Sequence, residues 1–216
     1  MTDAIRIGVV GAGAIAQLAH LPVLAKMRGV QLAAICDNDR PKARALADRF
    51  NVADVFTDIE DLLELDDLDA VVIATPNHLH EPHVLSALAA KRHVLCERPL
   101  SLSSRGVERI LSAATKAGRI VSVANNHRYR TDVQALARFI AGGELGKIIG
   151  LRAGAYHAKR SGEGWRFRRP ESGGGALRAA SAGRVWVTVP TAVPSAVLTI
   201  TASPGARGSG AGCPSA

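Results

Sequence analysis

Hydrophobic positions in the first 124 residues alternate between short β-branched runs and stretches with helical spacing. The first run, Ile5–Val10, predicts a buried strand, and helical spacing follows it at Ile15, Leu18, Leu21, Leu24 and Ala25. Further strands are predicted at Val30–Cys36, Asp54–Phe56, Leu68–Ala74, His93–Cys96 and Arg119–Ala124, and helices at 41–50, Ile59–Leu65, Pro82–Lys91 and Ser103–Ala117. This alternation predicts an α/β fold with a doubly wound parallel sheet and helices on both faces.

A glycine-rich turn joins the first predicted strand to the first predicted helix, with the pattern Gly11-x-Gly13-x-x-Ala16. Gly11 permits a tight turn, Gly13 lets the backbone approach a pyrophosphate, and Ala16 allows close packing of helix on strand. The phosphates would lie on the N–H groups at the helix N-terminus. The alternative is an ordinary glycine turn that binds no ligand. The residues predicted to bind a dinucleotide here are Gly11, Ala12, Gly13, Ala14, Ile15 and Ala16.

Asp37 follows the second predicted strand, 21 residues after Ala16. A carboxylate at that place accepts hydrogen bonds from ribose hydroxyls and repels a 2′-phosphate, so the sequence favours NAD over NADP. The nearby Arg40 keeps NADP open as the second possibility. Asp37 is also suited to cap the next helix, which has Pro41 near its start, and both roles are filled if Asp37 and Asp39 divide them.

Polar turns also follow the fourth and fifth predicted strands, at Thr75–His80 and Glu97–Pro99. Because the carboxyl ends of parallel strands meet at one edge of a sheet, we expect these turns to share a site with the glycine turn and Asp37. On its own, His80 is more typical of a helix-start or packing histidine than of a ligand-binding one. Three other histidines are predicted to be structural: His78, His83 and His93.

These motifs, taken together and in order, resemble one known family. They are Gly11-Ala-Gly-Ala-Ile-Ala16, His20-Leu-Pro22, Ala74-Thr-Pro-Asn-His-Leu-His80, His93-Val-Leu-Cys-Glu-Arg-Pro-Leu100, Asn126-His-Arg-Tyr129, Gly142-Gly-Glu-Leu-Gly-Lys-Ile148 and Ser172-Gly-Gly-Gly-Ala-Leu177. Over about residues 4–177 the chain resembles the Gfo/Idh/MocA oxidoreductases. The resemblance implies an NAD(P)-binding Rossmann domain at 1–124, followed at 125–177 by the start of an incomplete α/β substrate domain.

The resemblance also implies a chemistry and a set of site residues. The family moves a hydride between a nicotinamide and a carbinol carbon of a sugar, inositol or related polyol. Cofactor-binding roles are implied for Thr75, Pro76, Asn77, His80, Glu97 and Arg98, and places near the nicotinamide or substrate for Arg128, Trp165 and Arg166.

Arg98 departs from the family pattern, because Glu97-Arg98-Pro99 stands where the family usually has Glu-Lys-Pro. The lysine polarises the reacting oxygen and takes part in proton relay, whereas a guanidinium supplies charge and hydrogen bonds but does not readily exchange a proton. We therefore predict that Arg98 orients cofactor or substrate. The alternative is a surface arginine that precedes a proline.

The composition changes after Leu177. Residues 178–216 contain no Asp, Glu, Lys, Asn, Gln, His or Met, and the Asp-x-Gly-x-His helix of the family is not found there. We interpret this stretch as an atypical low-complexity tail that follows a change of reading frame, the alternative being a genuine disordered extension. Within it Val185–Ala202, interrupted by Pro190 and Pro194, is predicted to cover part of an exposed edge or to promote aggregation.

Charge and cysteine content narrow the classes of function. The net charge is +8, but residues 1–151 are nearly balanced, so the basic excess forms no stripe on the folded part and argues against nucleic-acid binding. No apolar run approaches the ~18 residues of a membrane helix, and Met1–Arg6 leads directly into a strand rather than a secretory leader. The cysteines Cys36, Cys96 and Cys213 lack metal-ligand spacing, so reduced thiols, a cytoplasmic location and no metal site are expected.

Two functions remain open at this point. The first is an NAD(P)-dependent oxidoreductase of sugars, inositols or similar polyols, which the motifs favour. The second is a nucleotide-binding fragment or sensor without turnover, which Arg98 and the missing histidine helix favour. An incomplete second domain also argues against the homo-oligomer that is usual in the family.

Overall fold

The computed structural model describes residues 4–143, 146, 152–156, 164–173, 184–190 and 197–202. The backbone divides into two units, one of residues 1–125 with 163–174 and one of residues 126–162 with 175–216. Three features named in the sequence analysis lie outside the described residues: the predicted boundary at Leu177, the residue Pro194 and the residue Cys213.

The first unit is built on six parallel strands: β1 (Ile5–Val10), β2 (Val30–Cys36), β3 (Asp54–Phe56), β4 (Ala70–Ile73), β5 (His93–Cys96) and β6 (Val121–Val123). Their order across the sheet is β3-β2-β1-β4-β5-β6, and every neighbouring pair is parallel. The order reverses between β1 and β4, which is the place where open α/β sheets bind ligands. The predicted doubly wound α/β fold is confirmed.

Helical segments connect these strands: a π-helical turn (Ala16–His20) that continues into α1 (Leu21–Leu24), then α2 (Arg40–Phe50), α3 (Ile59–Leu63), α4 (Asn77–Ala89) and α5 (Ser104–Ala117). Local sequence sets their ends. Ser103 caps α5 by accepting the Gly106 N–H at 3.0 Å, and Asn51 and Gly118 end α2 and α5 in the left-handed conformation.

The sheet has a core on each face, because successive strand residues point to opposite sides. Val9 and Ile35 pack with α1 and α2 on one face. Val10 and Ile73 pack with α3, α4 and α5 on the other. Both faces of the sheet are therefore covered by helices, as the doubly wound prediction requires.

Two helical predictions were wrong in detail. α4 begins at Asn77 rather than at Pro82, because the fixed φ of proline is helical and Pro82 removes only one backbone hydrogen bond. Of the predicted apolar face of the first helix, Leu21 and Leu24 are buried, but Ile15, Leu18 and Ala25 are exposed, Leu18 at 82%. The π-helical turn changes the helical repeat on which that prediction rested. The remaining strands and helices of this unit agree with the predicted bounds to within two residues.

The second unit contains a 3₁₀ turn (Asn126–Tyr129), α6 (Thr131–Ala141) and three strands, β7 (Arg152–Tyr156), β8 (Arg184–Pro190) and β9 (Val197–Ala202). The strands form an antiparallel sheet in the order β7-β8-β9. β8 and β9 fall within the segment predicted as a low-complexity tail. In these two stretches the backbone is paired in the antiparallel sheet.

Residues 164–173, which lie within the range predicted for the second domain, cluster with the first unit. They form a 3₁₀ turn (Trp165–Phe167) and α7 (Arg169–Ser172), which ends at Gly173 in a left-handed conformation. α7 packs against α4, and this contact places the segment beside the parallel sheet. Among the described residues, no helix is long and apolar enough to cross a membrane.

Candidate functional site

A cleft of about 610 Å³ opens in the first unit at the carboxyl ends of β1, β2 and β4. Its walls are the turns after these strands, the start of α3, one face of α4 and part of the 164–173 segment. The cleft therefore lies at the point where the strand order reverses. Nine predicted site residues line it: Gly11, Gly13, Ala14, Ile15, Asp37, Thr75, Pro76, Trp165 and Arg166.

Gly11 is fixed by its backbone and by its neighbours. Its φ is +98°, and a Cβ would lie 2.7 Å from both the carbonyl carbon and the oxygen of Ala74. Its N–H donates to the Cys36 carbonyl at 2.8 Å. The turn after β1 is thus held against the ends of β2 and β4, and only glycine fits at this position.

Gly13 differs from Gly11, because a Cβ there would meet no atom within 4 Å and its backbone is not left-handed. The fold itself does not require glycine at this position, whereas a ligand that approaches the backbone does. Helical backbone begins at Ala14, and the first N–H groups of a helix have no partner within the helix. This open space beside helical N–H groups fits a pyrophosphate.

Ala12 and Ala16 are buried beneath the glycine turn and shape it from behind. The Ala12 carbonyl accepts a hydrogen bond from the side-chain amide of Gln17 at 2.8 Å. The backbone N–H of Ala12 donates to Oδ2 of Asp37 at 2.7 Å. These two predicted site residues therefore support the turn rather than line the cleft.

Asp37 binds three groups of the protein and still has acceptor capacity. Besides the Ala12 N–H, its carboxylate accepts the Asp39 N–H at 3.0 Å and pairs with Nζ of Lys42 at 2.8 Å. Asp39 caps α2 by accepting the Lys42 N–H at 3.1 Å, so the two aspartates divide the roles. The Asp39 and Lys42 contacts are both to Oδ1 and the Ala12 contact is to Oδ2, so a lone pair on Oδ2 remains for a ribose hydroxyl.

One face of α4 lines the cleft and was not predicted. It consists of Leu79, Pro82, His83 and Ser86. These positions have helical spacing, but the predicted start at Pro82 hid the pattern. The structural role predicted for His83 is corrected: it lines the cleft, with Nδ1 3.2 Å from Oγ1 of Thr75. Burial, followed by the charge of His80, lowers the pKa of His83 below its ordinary value.

An acidic pair at the start of α3 also borders the cleft. The hydrogen bond between the carboxyl groups of Asp58 and Glu60 lowers the pKa of Asp58 and raises the pKa of Glu60. Glu60 also accepts the Ser86 hydroxyl at 3.3 Å. Other lining residues that the sequence did not single out are Asn38, Lys42, Thr57 and Ile59.

Asn77 and His80, both predicted to bind the cofactor, are 6% and 1% exposed and do not line the cleft. The Asn77 amide donates to the Ser172 carbonyl at 2.9 Å. The His80 ring places Nδ1 2.6 Å from the Pro99 carbonyl and Nε2 2.8 Å from the Thr75 carbonyl. Their polar atoms therefore join the segments that surround the cleft.

Glu97 and Arg98 are likewise not among the lining residues. Glu97 Oε1 lies 2.9 Å from Nε2 of His20, and Oε2 accepts the Arg98 N–H at 3.3 Å. Burial raises the pKa of Glu97, but the hydrogen bond and charge of His20, together with Arg98, outweigh it and leave the pKa below its ordinary value. His20 belongs to the motif His20-Leu-Pro22 but was not predicted as a site residue. Its partner Glu97 lies 77 positions away, so no local pattern indicates the pairing.

Arg128 lies in the second unit, with its guanidinium 5.8 Å from the ring centre of Tyr129. Within the described ranges, no group of three or more His, Cys, Asp or Glu residues is arranged to hold a metal ion.

Comparison with known proteins identifies what the chain is similar to. Residues 5–125 match the Gfo/Idh/MocA oxidoreductase family at its NAD-binding Rossmann fold. Two curated relatives are D-glucoside 3-dehydrogenase of Escherichia coli (strain K12), 32% identical over 67% of this chain and 41% of the relative, and inositol 2-dehydrogenase of Corynebacterium glutamicum (strain R), 34% identical over 70% and 45%. A 3-ketoreductase of Actinomadura kijaniata, solved with TDP-benzene and NADP, is 30% identical with a TM-score of 0.65, over 70% of this chain and 48% of that one. The chain thus spans less than half the length of these relatives.

Proposed function

Since the chain belongs to the Gfo/Idh/MocA oxidoreductase family, we propose that its cleft binds a nicotinamide dinucleotide for hydride transfer to or from a carbinol of a sugar, inositol or similar polyol. The observation that supports binding most directly is the open space at Gly13 beside helical N–H groups, in a turn that Gly11 fixes. The substrate class comes from the relatives, which are glucoside and inositol dehydrogenases.

Each end of the dinucleotide has residues suited to it. The backbone from Gly13 to Ile15 binds the pyrophosphate, and the Asp37 carboxylate accepts the ribose hydroxyls. Thr75 and Pro76 flank the glycine turn on the β4 side, and Trp165 with Arg166 forms another wall. When bound, the nicotinamide supplies the group that accepts or donates the hydride.

We propose NAD as the preferred dinucleotide, because the Asp37 carboxylate repels a 2′-phosphate. Lys42, whose Nζ lies 2.8 Å from Asp37, offsets part of that charge. NADP therefore remains the competing ligand in the test below.

A second function, nucleotide binding without turnover, is favoured by Arg98, because the family pattern that Glu97-Arg98-Pro99 resembles has lysine at this position. A guanidinium orients a substrate oxygen by charge and hydrogen bonds but does not readily exchange its proton. Loss of a positioned proton-transfer group typically lowers a rate by about 10²–10⁴-fold.

The test is calorimetric titration of the purified chain with NAD and with NADP. We expect saturable NAD binding, weakened at least about tenfold by Gly13→Ala, with the midpoint of thermal unfolding unchanged. Asp37→Asn should narrow the preference for NAD, whereas Asp48→Asn, which removes an exposed charge from α2, should not. Absence of binding to both dinucleotides would contradict the proposal.

Turnover is then measured with NAD against a panel of inositols, glucosides and other polyols. Reduction of NAD by any of these supports the oxidoreductase function. Binding without any reduction across the panel supports the second function instead.

A further inference from the structure

The 164–173 segment is held against α4 by a buried hydrogen bond. The donor is the side-chain amide of Asn77, and the acceptor is the Ser172 carbonyl, 95 residues away along the chain at 2.9 Å. Both residues are buried, Ser172 at 1% exposure. A buried amide that loses its partner is costly, so this bond favours the docked position of the segment.

The segment has little to hold it in place by itself. α7 is four residues long, far shorter than the ~12–15 residues at which an isolated helix becomes marginal in water. Its internal ion pair between Arg168 and Glu171 is largely exposed on the arginine side, and such surface pairs contribute little. Contact with α4 therefore decides where the segment lies.

The same segment contributes Trp165 and Arg166 to the cleft. The Arg166 guanidinium lies 4.9 Å from the centre of the Trp165 ring, within the range of a cation–π contact. The other residues that line the cleft include Asp37, Asp58 and Glu60. The guanidinium is thus a positive charge that favours an anionic ligand among acidic neighbours.

We propose that Asn77 is a positioning residue for this cleft: its amide holds the 164–173 segment so that Trp165 and Arg166 form one wall of the dinucleotide site. The Asn77 side chain is not among those that line the cleft, and its amide nitrogen donates to the Ser172 carbonyl. Its effect on binding therefore passes through the segment. The identity of the ligand rests on the proposed function, but the docking of the segment does not.

Tryptophan fluorescence tests the docking without any nucleotide. The chain has two tryptophans, so a Trp186→Phe background leaves Trp165 as the reporter. In that background, Asn77→Ala should shift Trp165 emission to longer wavelength and increase its quenching by acrylamide about twofold or more. His78→Ala, which alters the exposed neighbour on the same turn of α4, is the matched control and should leave both unchanged.

Nucleotide affinity then connects docking to binding. Asn77→Ala should weaken NADH binding about tenfold, and the effect should disappear in a chain that also bears Trp165→Ala and Arg166→Ala, because the wall is then already lost. A loss of affinity with unchanged Trp165 emission, or a loss that persists in the triple variant, would overturn the positioning role. Unchanged emission and unchanged affinity would do the same.

A second variant at Asn77 and a readout that needs no nucleotide separate the possible outcomes. If Asn77→Ala does not fold, as judged by circular dichroism, Asn77→Asp keeps the side-chain volume, removes the donor and is expected to give the same two changes. If the parent chain binds neither NAD nor NADP, the proposed function fails, while the emission of Trp165 still supports or overturns the docking.

Discussion

The turns after β1 and β4 lie side by side at the carboxyl edge of the sheet, yet they build the cleft in opposite ways. The turn after β1 contributes backbone and empty space, since Gly11 fits only without a Cβ and Gly13 leaves room for a ligand. The turn after β4 leads into α4, whose Asn77 and His80 point their polar atoms into the protein. One turn meets the ligand directly, and the other holds the surrounding segments.

This difference determines how each turn is damaged. In the turn after β1, an added methyl group at Gly11 would meet neighbouring backbone, and one at Gly13 would enter the space proposed for the ligand. A removed polar group harms the second, because buried carbonyl oxygens lose their donors. Substitutions in the two turns should therefore separate effects on stability from effects on binding.

The largest effect is expected for Gly11→Ala. The added Cβ meets the Ala74 carbonyl and the residue must keep a φ of +98°, so unfolding free energy should fall by on the order of 3 kcal/mol. Gly13→Ala is the control and should change it by less than about 0.5 kcal/mol. Chemical denaturation measures both, and equal losses at the two glycines would remove the distinction between them.

His80→Ala should have the next largest effect on stability. It removes the ring nitrogens that lie 2.6 Å from the Pro99 carbonyl and 2.8 Å from the Thr75 carbonyl, and it creates a cavity, which together cost about 2–3 kcal/mol. His83→Ala, three residues further along α4, should cost less than about 1 kcal/mol and instead weaken NAD binding. If both variants lower stability equally and leave binding unchanged, α4 does not have the two roles described above.

The smallest effect concerns acid stability. The pKa of Glu97 in the folded protein lies below its ordinary value of 4.5. At a pH between the folded pKa and 4.5, the unfolded state therefore binds more protons than the folded state. The stability that Glu97 contributes is lost as pH falls through that range. Glu97→Gln should therefore flatten the dependence of unfolding free energy on pH below about 4.5. Glu108→Gln, at an exposed position of α5, should leave the dependence as in the parent.

The sequence predicted the backbone part of the site better than the side-chain part, for a physical reason. Gly11, Gly13 and Asp37 follow from a strand, a turn and a helix that are close in the chain, so their pattern is local. The partners of Asn77 and His80 are carbonyls 95 and 19 residues away, which no local pattern encodes. The sequence predicted that these two side chains bind the cofactor, whereas in the structure their polar atoms contact carbonyl groups of the protein.

The same limit explains the errors around α4 and β5. A helix start placed at Pro82 concealed the face that includes His83, because proline is a common first helical residue as well as a tolerated interior one. The pairing of Glu97 with His20 depends on how the first helix lies against β5, which only the tertiary fold determines. The orienting role of Arg98 and the place of Arg128 near the nicotinamide or substrate stay predictions.

The position of the 164–173 segment also bears on how such a chain tolerates recombination or proteolysis. The stretch that matches the family ends at residue 125 and includes all six parallel strands. A breakpoint there would transfer an intact sheet and an intact glycine turn to a new gene. It would leave behind Trp165 and Arg166, which form one wall of the cleft, so the transferred piece would keep its fold but bind nucleotide more weakly.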